Sequence, residues 1–522
     1  MPQTIERSRD GVIVSGGRVC SRAHLMDRAA RAATGLASTN GGDGATIAIL
    51  LRNDMPFLEC MLAAGMIGAY CVPINWHFTE DEVRGIFEDS QPSHLVVHAD
   101  LFRAIRSVVP GRTTVLVVPP PPEVCDAYGI AGELAAPPDG TLEWEAWLDQ
   151  FAPWTGKMGA LRGSMFYTSG TTGRPKAVRR EPIPPEQRDA YARLRADWFG
   201  FRSGMRTAIV GPLYHSVQST YAYSALHLGT VVLAPRFDAE RLLRQIEEER
   251  LTHLHLVPTM MHRLIQLPRE VRDRYDVSSL EFVIHGAAPC PHEVKRRMID
   301  WLGPIVHEYY GTSETGMVSR SSSAEWLERE GTVGRPLPGR IVRVYDEAGT
   351  VLPPNQDGLV YMSLGMVPDF TYHNADAHRA SVQRDGLVTT GDIGHLDDDG
   401  YVFLCDRRQD VIISGGVKIW PAEIEGMLAS HAAVHDCAVF GIPDAEFGQA
   451  PAAVVQPVAG RHLSAEELRA FLGARLARFK VPRVFDIRES LPRDESGKIF
   501  KRVLRESYAA QEHARAEPAS SW

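Results

Sequence analysis

Apolar strand-like runs alternate with helical patterns along most of this chain, and that alternation restricts the fold more than any other feature of the sequence. Between residue 20 and about residue 120 the pattern predicts a strand at Thr46–Leu51, a helix at Phe57–Gly68 and a strand at Tyr70–Pro73. Thr79-Glu-Asp-Glu82 reads as a capping box opening a further helix, and His94–His98 as a strand. A second block repeats the alternation. It has strands at Thr207–Val210, Thr230–Leu233, His253–Val257, Leu280–His285 and Ile305–Tyr310, with an amphipathic helix at Ala239–Glu249. Strand–helix alternation means parallel sheets covered by helices. From about residue 330 the helices stop, and short turn-rich strands predict a small β-barrel or a distorted sheet. Beyond Asp410 a compact α+β segment follows, with helices at Ala422–Leu428 and Ala465–Leu476 and strands at Ala433–Phe440 and Ala452–Pro457. Residues 123–160 carry no clear pattern, and the polar tail after about Arg505 reads as frayed.

A chain of 522 residues is too long for one core, so at least two domains are expected. The net charge of −9 argues against a general nucleic-acid binder. The seven cysteines lack CxxC pairs and read as free thiols in a reducing cytoplasm. No apolar run approaches the roughly eighteen residues of a membrane helix. The histidines show no zinc spacing, and His253 and His255 alternate on a strand as packing or surface residues would.

The densest chemistry lies in Tyr167-Thr168-Ser169-Gly170-Thr171-Thr172-Gly173-Arg174-Pro175-Lys176. An apolar strand end leads into hydroxyls and glycines, and a lysine closes the stretch. Glycines let successive backbone N–H groups turn toward one point, and Lys176 adds a positive charge, which together suit a polyphosphate. It is not a Walker A loop, because Gly173 is followed by Arg-Pro-Lys. The plainer reading is a Ser/Thr-rich surface loop. Tyr310-Gly311-Thr312-Ser313-Glu314 ends a strand, where open α/β sheets place ligands. An aromatic there can stack on a base, and a carboxylate can hold Mg²⁺ against phosphate oxygens. A capped turn with a structural tyrosine is the alternative. Gly286-Ala287-Ala288-Pro289 would let a flat ring approach the backbone. Asp392 can accept from a sugar diol or be an ordinary turn aspartate. Lys498 sits in a glycine-hinged loop, where a solvated surface lysine is the common case.

Taken in order, these motifs resemble those of the adenylate-forming superfamily, which holds acyl-CoA synthetases, peptide-synthetase adenylation domains and firefly-type luciferases. The resemblance covers essentially the chain. Ala177 stands where the family usually has Gly, and Ser313 where it usually has Thr. The resemblance implies an AMP-forming acid–thiol ligase using ATP, Mg²⁺ and coenzyme A on a small-molecule carboxylic acid. It implies an α/β fold with a large N-terminal domain over residues 1–406: two alternating β/α subdomains plus a small β-barrel-like subdomain. A small mobile α+β C-terminal domain over 407–522 follows.

The resemblance also assigns roles. Thr168, Ser169, Gly170, Thr171, Thr172, Gly173 and Lys176 would cradle the phosphates. Tyr310 would stack on adenine beside Gly286, Ala287 and Ala288, with Gly311, Thr312 and Ser313 near phosphate and Glu314 on Mg²⁺. Asp392 and Arg407 would hold the ribose, and Lys498 would bridge carboxylate and α-phosphate. Ser414, Gly415 and Gly416 would border the pantetheine tunnel, and Gln409 would be the domain hinge, where the family usually has Lys or Asp. The acyl pocket would use Tyr214, His215, Gln218, Ser219, Tyr223, His285 and Met317, with His215 as an aromatic gate. Pro212–Val217 carries no acidic residue to pair an α-ammonium, which implies that the acid is not an α-amino acid. The pocket segments offer small residues, aromatics and Met317 but no Arg or Lys, which implies a bulky apolar acid, whether aromatic, polycyclic or long-chain. A carrier-protein thiol as acceptor, a luciferase-like oxidase and a degenerate nucleotide-binding protein are the alternatives, and a homodimer is compatible with the reading.

Overall fold

In a computed structural model of the chain, the described residues are 11–168, 176–408, 410–414, 417–444, 446–493, 499, 501, 503–505 and 507–508. Ile47–Leu50 and His94–His98 are buried without a break, as central strands of a parallel sheet must be when helices cover both faces. They belong to a five-stranded parallel sheet in the order Tyr70–Pro73, Thr46–Leu50, His94–His98, Thr114–Val118, Leu142–Glu143. The Thr79 capping box forms as expected, with Glu82 reaching back to the Thr79 backbone.

The second sheet has nine strands. Its order runs Arg335–Pro336, Gly316–Ser321, Val306–Thr312, Phe282–His285, His253–Leu256, Met205–Ile209, Gly229–Leu233, Val12–Ser15, Arg18–Ser21. The first described strand is therefore part of the second sheet: Val12–Ser15 lies parallel to Gly229–Leu233. No local pattern could announce so distant a partner. The helix Met55–Ile67 is buried nearly all round because it lies between the sheets. Asp54 caps its start, and Gly68, at φ 74°, closes it. One apolar cluster joins Ile47 and Ile49 of the first sheet, this helix and Arg22–Ser38, and Ile209 and Ile284 of the second sheet.

The strands Phe166–Thr168 and Lys176–Arg180 pair antiparallel, and Phe370–Tyr372 adds a third strand. The residues after 330 form a branched six-stranded antiparallel sheet, the distorted-sheet form of the expectation. The expectation that helices stop there needs one correction: Asp376–Ser381 is a short helix packed by Phe370–Tyr372. The unpatterned stretch 123–160 is partly ordered, and Trp144 and Trp147 stack at 5.4 Å and bury themselves under the first sheet. From residue 412 onward a separate five-stranded sheet forms, with helices Pro421–Ala429 and Ala465–Gly473 and a core of its own around Ile412, Ile424, Val439 and Leu468. All seven cysteines are unpaired. Among the described residues no helix is long and apolar enough to cross a membrane.

Both sheets bury histidines. His255 is wholly buried, and burial brings its pKa down to about 3; the same cause takes His94 to about 4. Depressed histidines stabilise the fold fully above their unfolded pKa of about 6.5 and withdraw that stability as pH falls toward the folded value. His255 alone should cost about 2 kcal/mol at pH 5, from about 1.5 units at about 1.36 kcal/mol each. The thermal midpoint should drop between pH 7.5 and pH 5, and His255→Asn should flatten part of that slope. A midpoint independent of pH over this range would show that these imidazoles are protonated in the fold.

Candidate active site

Side chains on a strand alternate between faces, and this decides what each strand of the nine-stranded sheet offers. Thr207, Ile209, His255, Ile284 and Tyr309 point toward the core shared by the two sheets. Val283, Val306, Leu254 and Leu256 point to the outer helices. His285 shares the face of Val283, so it does not line the acyl pocket as expected. It is fully buried with Nε2 3.9 Å from Glu308 Oε2, beside the buried Lys295–Glu308 pair at 2.5 Å. Burial and the Lys295 charge hold its pKa far below the usual histidine range.

At the carboxyl ends of these strands the connecting turns open into a cavity of about 750 Å³. Of the expected residues, Lys176, Tyr214, His215, Gln218, Ser219 and Tyr223 line it, as do Ala287, Ala288, Gly311, Thr312, Ser313, Glu314, Met317 and Arg407. Gly286 lies just behind. A Cβ there would come within 2.5 Å of the Tyr309 ring and 2.7 Å of the Tyr309 carbonyl, so only glycine fits. Ala287 follows in the left-handed region at φ 68°. Gln218 bonds the His255 ring at 2.9 Å, and His255 in turn meets the Tyr309 hydroxyl at 3.1 Å.

The Gly311–Gly316 turn is fixed from beneath. Arg180 is half-buried and donates to the carbonyls of Ser313 at 2.5 Å, Glu314 at 2.8 Å and Pro368 at 2.9 Å. Arg340 donates to the Thr315 carbonyl at 3.0 Å. Ser313 Oγ lies 3.0 Å from Ser216 Oγ, at the start of the helix Ser216–Ala225. Glu314 is 7% exposed and accepts from the Tyr372 hydroxyl at 3.0 Å. Tyr372 is kept protonated by burial and by that carboxylate.

Asp392 and Arg407 are brought together by strand register, being directly paired on adjacent antiparallel strands, with Arg407 Nε 3.4 Å from Asp392 Oδ1. Asp392 also accepts from Thr390 at 2.9 Å and from the Tyr310 hydroxyl at 2.7 Å. Tyr310 differs from expectation. It shares the face of Glu308, and its ring packs with Val318, Val344 and Val402 behind the cavity wall, while Tyr309 lines the cavity. Ser414 pairs with Gly448 and Val417 in the C-terminal sheet, away from the cavity lining. Ser169, Gly170, Thr171, Thr172, Gly173, Gln409, Gly415, Gly416 and Lys498 lie outside the described residues, as does the side chain of Thr168.

Residues 2–366 match the AMP-binding enzyme family, and residues 423–498 match the AMP-binding enzyme C-terminal domain. The chain is 32% identical over 495 residues to a feruloyl-CoA synthase of an Amycolatopsis species, covering 94% of this chain and 95% of that one. It is 31% identical over 497 residues to the 2-succinylbenzoate–CoA ligase of Bacillus licheniformis, covering 94% and 96%. ATP-bound MatB from Rhodopseudomonas palustris superposes with a TM-score of 0.79 at 28% identity, over 96% of each chain. The chain belongs to the AMP-binding enzyme family. It is an AMP-forming acid–thiol ligase.

Four residues of the ligase site escaped the sequence reading. Arg180 and Tyr372 lie on strands that pair only after folding, Arg180 opposite Phe370 and Tyr372 opposite Val178. The sequence signal for Arg180 is its place in the basic run Arg174, Lys176, Arg179, Arg180. Arg195 and Trp198 come from the helix Arg188–Trp198, which lines the cavity from outside the segments expected to form the pocket.

Arg180→Ala should destabilise the ligase by about 2–4 kcal/mol, since three carbonyls lose a donor and a buried one without a partner costs about 1–3 kcal/mol. Denaturant unfolding measures it. A loss below about 1 kcal/mol would mean that water replaces the guanidinium and that the turn does not depend on it.

Proposed function

We propose that this ligase activates a bulky, largely apolar carboxylic acid with ATP and passes the acyl group to coenzyme A. The observation carrying the reading is the single cavity in which Lys176, Glu314 and Arg407 share walls with Tyr214, His215, Tyr223 and Met317. One end is charged and suits a nucleotide; the other is aromatic and aliphatic and suits an acyl group. The likeness to an ATP-bound structure and to CoA ligases of aromatic acids supports the same division.

In the first step a carboxylate oxygen attacks the α-phosphorus, the Pα–O–Pβ bond breaks, and pyrophosphate leaves with the electron pair. A carboxylate is already a competent nucleophile, so the protein's task is to hold two anions together and stabilise the extra charge on phosphorus. Lys176 and the proposed Lys498 serve that end. Asp392 and Arg407 would hold the ribose, Asp392 being aimed by Tyr310 and Thr390. Glu314 fits Mg²⁺: its buried carboxylate lines the cavity and carries a neutral hydrogen bond from Tyr372. A magnesium ion held there would neutralise phosphate charge. In the second step the thiol sulfur attacks the acyl carbonyl, the bond to AMP breaks, and the thiol proton leaves to solvent. His215 is proposed to gate that passage.

The test is pyrophosphate release over a panel of carboxylic acids, with and without coenzyme A. Release with aromatic or polycyclic acids, and thioester only with coenzyme A, is the expected result; acetate as the best substrate by kcat/KM would overturn it. Lys498→Ala should lose adenylation by about 10²–10³-fold, by analogy with oxyanion-hole donors, and keep thioester formation from supplied acyl-AMP. Equal loss in both half-reactions would make Lys498 structural.

We also propose the domain boundary at 406/407 and a pivot at Gln409. The cores on either side of this stretch share no residues. Proline fixes φ near −65° and removes a donor, and a hinge must change its dihedrals between two states. Gln409→Pro should therefore release pyrophosphate once per acid and stall with acyl-AMP bound. Unchanged acyl-CoA output at steady state would place the pivot elsewhere.

A further inference from the structure

Tyr191, Arg195 and Trp198 stand at i, i+4 and i+7 on the helix Arg188–Trp198, so they share one face, and all three line the cavity. That face carries two buried N–H donors, Arg195 Nε and Trp198 Nε1, with no hydrogen-bond partner among the described residues. Trp198 is 3% exposed, so its indole N–H does not open to bulk solvent. Buried donors in native proteins are almost always satisfied, and two left over on one helical face of a ligand cavity call for an acceptor from the ligand.

Three other arginines on the cavity walls have acceptors: Arg180 donates to three carbonyls, Arg162 pairs with Asp43 at 2.5 Å although its Nε is also unpartnered, and Arg407 pairs with Asp392. Arg195 makes no ion pair among the described residues. Its guanidinium is held by rings instead, 5.0 Å from the Tyr191 centroid and 5.3 Å from that of Tyr223. Aromatic faces orient a guanidinium without neutralising it, leaving its fork of donors for something else. The location also fits. Tyr223 is on the pocket helix, and Gly316, beside Met317, is so close to Trp198 that a Cβ there would lie 3.0 Å from the indole.

We infer that this face is a subsite for the far end of the carboxylic acid, and that the acid carries a hydrogen-bond acceptor there: a second carboxylate, a carbonyl or a phenolic oxygen on an otherwise apolar body. The inference rests on the acyl-activating reading above and refines it. A wholly apolar acid would bury both donors without a partner, and sites built to hydrogen-bond a group discriminate strongly against analogues that lack it.

The test uses the full chain and matched 3-arylpropanoates bearing a para carboxylate, acetyl, hydroxyl or methyl group, with pyrophosphate release as the readout. An acceptor-bearing acid should exceed its methyl counterpart by about 10- to 100-fold in kcat/KM, the worth of a hydrogen bond to a charged group. Arg195→Ala should erase that preference, chiefly by raising KM for the acceptor-bearing acids, with an unchanged thermal midpoint showing that the variant is folded. Arg195→Lys should restore part of it. Equal kcat/KM for the matched acids in the parent enzyme, or a preference that survives Arg195→Ala, would overturn the inference and leave the ligase reading standing. Release from other carboxylates of the wider panel but from none of the acceptor-bearing acids would overturn the inference alone, and release from no carboxylate at all would overturn both.

Discussion

The guanidinium of Arg180 joins parts of the molecule that the chain keeps far apart. It belongs to the strand Lys176–Arg180, which follows the proposed phosphate loop, and it grips the carbonyls of Ser313 and Glu314 at the end of a strand of the nine-stranded sheet. A third carbonyl, from Pro368, ties in the strand Phe370–Tyr372. The phosphate hairpin, the Glu314 turn and the Tyr372 hydroxyl are therefore set relative to one another by one side chain. Burying a guanidinium is costly unless its donors are satisfied, and here backbone carbonyls satisfy them instead of a carboxylate. That choice has a consequence for the chemistry. A carboxylate partner would have placed another negative charge beside the proposed phosphate site. Carbonyl dipoles hold Arg180 without one, and Glu314 remains the buried carboxylate on the wall beside it.

Much of the architecture was legible because parallel strands buried on both faces advertise themselves as unbroken apolar runs. Thr46–Leu50, His94–His98 and Phe282–His285 all read correctly from that signal. The Thr79 box read correctly because a capping box is local chemistry. What failed was long-range or depended on facing. The first described strand, Val12–Ser15, finds its partner at Gly229–Leu233, and four unremarkable residues cannot name so distant a neighbour. His285 was expected in the pocket because its segment borders it, but strand alternation turns the side chain toward Lys295 and Glu308. The same alternation puts Tyr309, not Tyr310, on the cavity wall, since the two are adjacent and must face opposite ways. A motif fixes which residues are near a site; the parity of the strand fixes which of them reach it.

The same parity organises the polar interior. His255, on the cavity-facing side of its strand, links Gln218 of the pocket helix to Tyr309 at the strand end. Burial keeps that imidazole neutral, so it can accept on one nitrogen and donate on the other. On the opposite face the Lys295–Glu308 ion pair lies buried beside the neutral ring of His285. These two networks bracket the sheet at the level of the proposed base and acyl sites. Buried hydrogen bonds such as Gln218–His255–Tyr309 and Lys295–Glu308 rigidify what they touch, and pre-organised positioning is what adenylation needs from a protein when the nucleophile needs no activation.

The C-terminal segment is built on opposite terms. Its apolar clusters draw only on residues from 412 onward, so it folds around its own core. Among the described residues, a few contacts join it to the larger body without adding to either core. The Ala422 backbone donates to Asp406 at 3.0 Å, Lys418 lies 3.9 Å from Glu347, and the rings of His262 and His435 are 6.2 Å apart. The exposed Lys418–Glu347 pair contributes about 0–1 kcal/mol, and water can replace it at little cost. A unit held by its own core and attached by replaceable contacts can change orientation without unfolding. The larger body, by contrast, shares one apolar cluster across both of its sheets and could not be divided without exposing it. Under the proposed reading, a ligase whose two half-reactions need different partners over one cavity would be served by that asymmetry: the walls proposed to bind the acid would stay fixed while the separately cored unit exchanged what it presents to them.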